Sequence, residues 1–69
     1  SMQVKVDMAN TRRGPDKSYQ VVATLEKGHT VIPLREQNGW TYIGITGNGQ
    51  TAWIFSSLLG KPAGIYPIE

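Results

Sequence analysis

The residues able to do chemistry are few. His29 is the single histidine and there is no cysteine, so a thiolate nucleophile, a disulfide framework and a thiolate metal site are all excluded. His29 falls in Glu26-Lys27-Gly28-His29, which reads as a turn, and no serine or carboxylate stands at a motif spacing from it. It is read as a surface-turn histidine. The carboxylates Asp7, Asp16, Glu26, Glu36 and Glu69 fit no metal-binding loop, so no metal ligand is assigned. Gly47-Asn48-Gly49-Gln50 lacks the Gly-Lys-Ser/Thr of a phosphate loop and joins two strands rather than a strand and a helix. No catalytic residue and no cofactor is implied. What remains is recognition chemistry, carried by Tyr19, Trp40, Tyr42, Trp53 and Phe55 and by a loop holding Arg12, Arg13 and Lys17 against Asp16.

The elements that must position these residues have a period of two nearly throughout. Val4, Val6 and Met8 alternate with polar neighbours and predict a first strand. Asn10 to Ser18 is a loop with Gly14-Pro15-Asp16 at its tip. Further strands are expected over 20–25, 31–34, 40–46 and 50–55. Pro33 cannot donate to a sheet ladder, so its strand is expected to be an edge or to bulge there. Gly47-Asn48-Gly49 supplies a hairpin turn, with Asn-Gly as the strongest short hairpin signal. Ser56-Ser57-Leu58-Leu59 reads as one short helical turn. Sixty-nine residues allow one core, and 12 glycines and prolines (8 + 4) argue against a helical bundle. No run of about 18 apolar residues is present to span a membrane as a helix, and the alternating start of the chain contains no signal peptide. The expected core is Val4, Val6, Val22, Leu25, Val31, Ile43, Ile45, Ala52, Ile54 and Leu58.

Five short strands with frequent turns predict an all-β fold, a small barrel or sandwich. The residues are also similar to a known family. Asn10-Thr11-Arg12-Arg13-Gly14-Pro15-Asp16-Lys17-Ser18-Tyr19 resembles the N-x-R-x-G-P-x-x-x-Y signature of bacterial Src-homology-3-like domains. Val21 to Gly28, Asn38-Gly39-Trp40, Gly49 to Ile54 and Ser56 to Leu59 continue the resemblance in order. Thr11 stands where the family usually has an apolar residue, Ala9 where leucine is frequent, Ala52 in place of a common glycine, and Pro33 in a usually β-branched position. The resemblance implies a five-stranded SH3-like barrel over 3–59. Residues 1–2 are then expected to be an expression scar, and 60–69 a C-terminal tail or linker.

It also implies a non-catalytic binding or targeting module for an attached envelope enzyme, such as a peptidoglycan hydrolase, located in the cell envelope or secreted. The expected partner is a cell-wall peptide, peptidoglycan or another extended protein segment. Trp40, Tyr42, Trp53 and Phe55 have the parity opposite to Ile43, Ile45, Ala52 and Ile54, so they are expected either to form one outward patch that Tyr19 extends and Arg12 flanks or to be taken up in cross-strand packing. Arg12 either reads an anion such as a wall-peptide carboxylate or holds the loop by bonding backbone carbonyls. Arg13 and Lys17 are read as a solvated face. Phe55 and Leu58 stand where eukaryotic proline-peptide binders carry proline and tyrosine, and the first loop is cationic, so an Arg-anchored proline-rich ligand is not expected. Two alternatives stay open. The aromatic groove is covered by the tail (Ile65, Tyr66, Ile68) or a neighbouring domain in a purely structural role. Or the chain is a weak nucleic-acid-binding barrel, although its seven Lys and Arg make no dense stripe.

Overall fold

The structure is a computed structural model, described here for residues 1–61. The alternating stretches form antiparallel strands: β1 (Met2–Val4), β2 (Met8–Arg12), β3 (Val21–Glu26), β4 (Thr30–Gln37), β5 (Trp40–Ile45), β6 (Thr51–Phe55) and β7 (Leu59–Gly60), with a 3₁₀ turn at Ser56–Leu58 before β7. They lie in one sheet in the order β3-β2-β6-β5-β4-β1-β7. Val4, Ala9, Leu25, Val31, Ile43, Ile45, Ala52, Ile54 and Leu59 make a single core cluster, to which every one of these strands contributes. In a flat sheet the outer strands β3 and β7 would stand six spacings, or about 29 Å, apart. Leu25 and Leu59 share one core only because the sheet curls round it as a small all-β barrel. Val4 N–H donates to the His29 carbonyl at 3.1 Å, Lys5 N–H to Leu58 at 2.9 Å and Lys27 N–H to Asp7 at 3.1 Å, tying the ends of the curl together.

The expected first strand breaks in two, and this changes which residues face inward. The chain bends at Lys5–Asp7, so β2 resumes with Ala9 and Thr11 inside and Met8 outside, 60% exposed. Val6 is only half-buried against the core, as are Val22 and Leu58, and the fully buried places belong to Ala9 and Leu59. Leu58 yields because the 3₁₀ turn rotates successive side chains by about a third of a turn, leaving Leu59 aimed inward. Thr11, set where an apolar residue is usual, is completely buried and donates its hydroxyl to the Ala23 carbonyl at 2.9 Å. Pro33 does mark a bulge, with the β4–β5 register shifting between Pro33 and Arg35.

The turn signals also sort differently. Asn38 (φ 54°) and Gly39 (φ 82°) both adopt the left-handed region, as a two-residue hairpin loop of the type I′ kind requires. At the other Asn-Gly pair only the glycines, Gly47 and Gly49, have positive φ, and the Thr46–Gly49 loop is longer, closed by Ile45 N–H to Gln50 at 2.8 Å. His29 is half-buried at the β3–β4 turn. Its Nε2 donates to the Thr46 carbonyl at 3.0 Å, since a carbonyl only accepts, and so pins one turn to another. Among the described residues no helix is long and apolar enough to cross a membrane.

Candidate ligand-binding face

The outward face is assembled by strand register. Arg12 lies opposite Trp53, Trp53 opposite Tyr42, and Tyr42 opposite Arg35. Directly opposed residues of antiparallel strands share a face, so β2, β6, β5 and β4 present one row: Arg12, Trp53, Tyr42, Arg35. The next row is Phe55, Trp40 and Gln37. The bulge after Pro33 sets this arrangement. With unbroken alternation Leu34 would oppose Tyr42; the extra residue puts Arg35 there instead. The Arg35 guanidinium then sits over the Trp53 ring, 5.5 Å from its centroid, as a cation–π contact.

The four aromatics form two cross-strand pairs. Trp40 and Phe55 meet edge to face with centroids 5.5 Å apart, and Tyr42 and Trp53 are tilted at 5.1 Å. Packing has buried the larger rings, leaving Trp40 7% and Trp53 8% exposed, whereas Phe55 is 42% exposed. Tyr42 is half-buried and fixes its ring by donating its hydroxyl to Thr51 Oγ1 at 2.8 Å. Beside Trp40 and Phe55 runs a groove of about 310 Å³, lined by Met8, Asn10, Arg12, Lys17, Trp40, Phe55 and Leu58.

The loop over 13–20 forms one wall. Arg12 donates from Nη1 to the Tyr19 carbonyl at 3.0 Å, and Arg13 N–H to the Gln20 carbonyl at 3.0 Å, so the loop closes on the end of β2. The Tyr19 ring lies flat against Gly14: a Cβ there would meet it at 2.4 Å, which is why the tip carries glycine. Asp16 caps its own turn, accepting from Ser18 N–H at Oδ2 (2.9 Å). That hydrogen bond, the Ser18 hydroxyl, and the charges of Arg12 and Lys17 hold the Asp16 carboxyl below the ordinary carboxylate range.

Of the residues singled out from the sequence, the structure brings Arg12, Trp40 and Phe55 together on the groove and sets Tyr42 and Trp53 beside them. Tyr19 stands apart, its ring on Gly14 and its carbonyl serving Arg12. Met8, Asn10 and Lys17 also line the groove; the sequence singles out neither Met8 nor Asn10 for binding and reads Lys17 as part of a solvated face. Met8 and Asn10 alternate with Ala9 and Thr11, a signal that was hidden by running one strand from Val4 through Met8. Arg35 depends on the bulge, which Pro33 marks without giving its direction. The proposed tail cover concerns Ile65, Tyr66 and Ile68, which lie outside the described residues. Among the described residues no group of three or more His, Cys, Asp or Glu is placed to hold a metal ion.

Comparison with known proteins agrees with this geometry. The sequence profile of the family described as "Bacterial SH3 domain" matches residues 7–60. The chain is also 34% identical over 58 residues to the Bacillus subtilis (strain 168) protein named "Putative N-acetylmuramoyl-L-alanine amidase YrvJ". That match covers 84% of this chain and 11% of the relative's length. A search of solved structures gives no significant match. The loop signature closing on β2, the curled antiparallel sheet, the 3₁₀ turn before the last strand and the profile match together identify the chain as a member of the bacterial SH3 domain family, a binding module and not an enzyme.

Proposed function

We propose that this chain is a targeting module whose outward aromatic face engages cell-wall peptide, or another extended ligand, on behalf of an enzyme in the same polypeptide. The observation that carries this is the groove between β2 and the Trp40–Phe55 pair, with aromatic side chains on one flank and Arg12 and Lys17 on the other. The exposed aromatic surface there is chiefly that of Phe55, 42% exposed, with Trp40 packed beneath it, and exposed aromatic surface gives large contact area at small entropy cost. Arg12, Trp40 and Phe55 are the contact residues, Trp53 and Tyr42 extend the face, and Tyr19 shapes the loop. The name of the relative supplies the chemical setting, an amide bond between a wall sugar acid and L-alanine. Since the chain spans 11% of that protein, the amidase activity in its name is not carried over. The reading places the module in the cell envelope or outside the cell.

The test is co-sedimentation with insoluble peptidoglycan. The chain is expected in the pellet, and Phe55→Ala, a truncation outside the core cluster, is expected to weaken retention about 5- to 30-fold, the range of a 1–2 kcal/mol contact. Wild type and variant recovered alike in the supernatant would overturn the proposal. A second reading, a structural role against a neighbouring domain, draws on a different place: Ile32 and Leu34 are exposed, and Leu34 lies on a groove of about 460 Å³ shared with Met2, Pro33 and Leu59.

A further inference from the structure

The groove beside Trp40 and Phe55 has a definite polarity. Resting on the reading of this groove as the binding site, we infer that it captures a carboxylate of a short peptide segment, with Arg12, Lys17 and Asn10 as the donors. The residues lining it carry two cations and, among the described residues, no Asp or Glu. Asn10 accepts from Thr24 Oγ1 through its own Oδ1 at 2.9 Å, a bond that leaves its amide N–H pair able to donate. Arg12 uses Nη1 on the Tyr19 carbonyl. That bond tethers the guanidinium at one nitrogen and leaves other N–H groups of its five-donor fork for a ligand. Arg12 and Lys17 can only donate and both are cationic, so the complement of this lining is an acceptor with negative charge.

Asp16 feels the charges of Arg12 and Lys17 and offsets part of them, but it does not occupy the groove. One of its oxygens is committed to Ser18. Arg12 is half-buried, on a groove it shares with Trp40, so an ion pair formed there is less screened than one in open water. A planar guanidinium suits the two coplanar oxygens of a carboxylate, which it can hold bidentately. Met8, Phe55 and Leu58 give an apolar flank for a small side chain next to that carboxylate. About 310 Å³ is at the small end of ligand pockets, room for one or two residues rather than a long segment. A chain-end carboxylate and an acidic side chain present the same group, and the probes separate them.

The experiment is NMR titration of the isotope-labelled full chain with Ala-Ala-Ala, Ala-Ala-Ala-amide, N-acetyl-Ala-Glu-Ala-amide and inorganic phosphate. One or both carboxylate peptides are expected to shift the amides of Asn10, Arg12, Lys17 and Phe55 saturably. The probe without a carboxylate is expected to bind about 10- to 100-fold more weakly, the value of hydrogen bonds to a charged group. A response to Ala-Ala-Ala alone names the chain end as the source, and a response to the glutamyl peptide alone names the side chain. Arg12→Gln is expected to weaken binding but also loosens the loop, so Lys17→Gln, on an exposed residue, carries the decision by lowering affinity with the fold unchanged. Equal binding of acid and amide, tighter binding of phosphate than of either acid, or no shifts from any carboxylate peptide would each overturn the inference. A chain that pellets with peptidoglycan yet shows no acid preference keeps the targeting role and loses this one. A chain that takes acid peptides and does not pellet does the reverse.

Discussion

Thr11 and Arg12 are neighbours on β2 and face opposite ways, one into the core with its hydroxyl on Ala23, the other out to the groove with Nη1 on Tyr19. The pair shows how a loop and a binding face are coupled through single side chains. Arg12 holds the loop by bonding a backbone carbonyl, one of the two roles its sequence position allows, and the same bond orients it toward the groove. Asp16 organises the loop tip from the other side. Its carboxyl is held low chiefly by Ser18, so the ionised form is the one the folded loop favours. The stabilisation it gives is present above the ordinary carboxylate value and is lost as pH falls through its lower folded value. The Ser18 amide is accordingly expected to lose protection from hydrogen exchange on acidification into that range. In Asp16→Ala the amide is unprotected at neutral pH as well and shows no such transition. Retention of full Ser18 protection in the variant would show that the carboxylate does not hold the turn.

At the scale of elements, the face exists because of two departures from regular alternation. The bend at Lys5–Asp7 resets parity, so that Met8, Asn10 and Arg12 point outward while Ala9 and Thr11 fill the core. The bulge after Pro33 brings Arg35 opposite Tyr42 and over Trp53. The Asn38-Gly39 turn joins these strands and is tied to the 3₁₀ turn by Ser56 N–H donating to the Gly39 carbonyl at 2.8 Å. Space is not what requires glycine there, since a Cβ on Gly39 would make only ordinary contact with Phe55 at 3.9 Å. Its φ of 82° is the reason. Gly39→Ala is expected to cost about 1–2 kcal/mol, the strain of a left-handed L-residue. Asn38→Gly should be nearly neutral. Denaturant melts of the two variants check this, and equal midpoints would refute it.

For the whole molecule, the curl of one sheet places nine aliphatic residues from all seven strands in one cluster. So small a core has little redundancy. At about 0.05–0.15 kcal/mol per residue, 69 residues hold roughly 3–10 kcal/mol of net stability. Ile54 is completely buried at the centre of that cluster. Ile54→Ala is expected to remove about 2–5 kcal/mol, a large share of that stability, and to lower the melting temperature by roughly 8–40 °C. Circular dichroism would show it, and a melting temperature within a few degrees of wild type would refute the assignment.

The sequence by itself determined the all-β class, the four strands β3 to β6, the family through its loop signature, and the shared parity of Trp40, Tyr42, Trp53 and Phe55. Each of these is local: alternation, turn residues and a contiguous motif are written in neighbouring positions. Only the tertiary structure decided that Ala9 and Leu59 are core while Val6 and Leu58 are not, that Trp40 and Trp53 are covered by their partners, and that Met8, Asn10 and Lys17 join Arg12 on one groove. Those outcomes turn on a bend, a bulge and the closure of the sheet. A one-residue change of register reverses every side chain beyond it, and contacts between β2, the loop and β6 join residues far apart in the chain, where no local pattern records them.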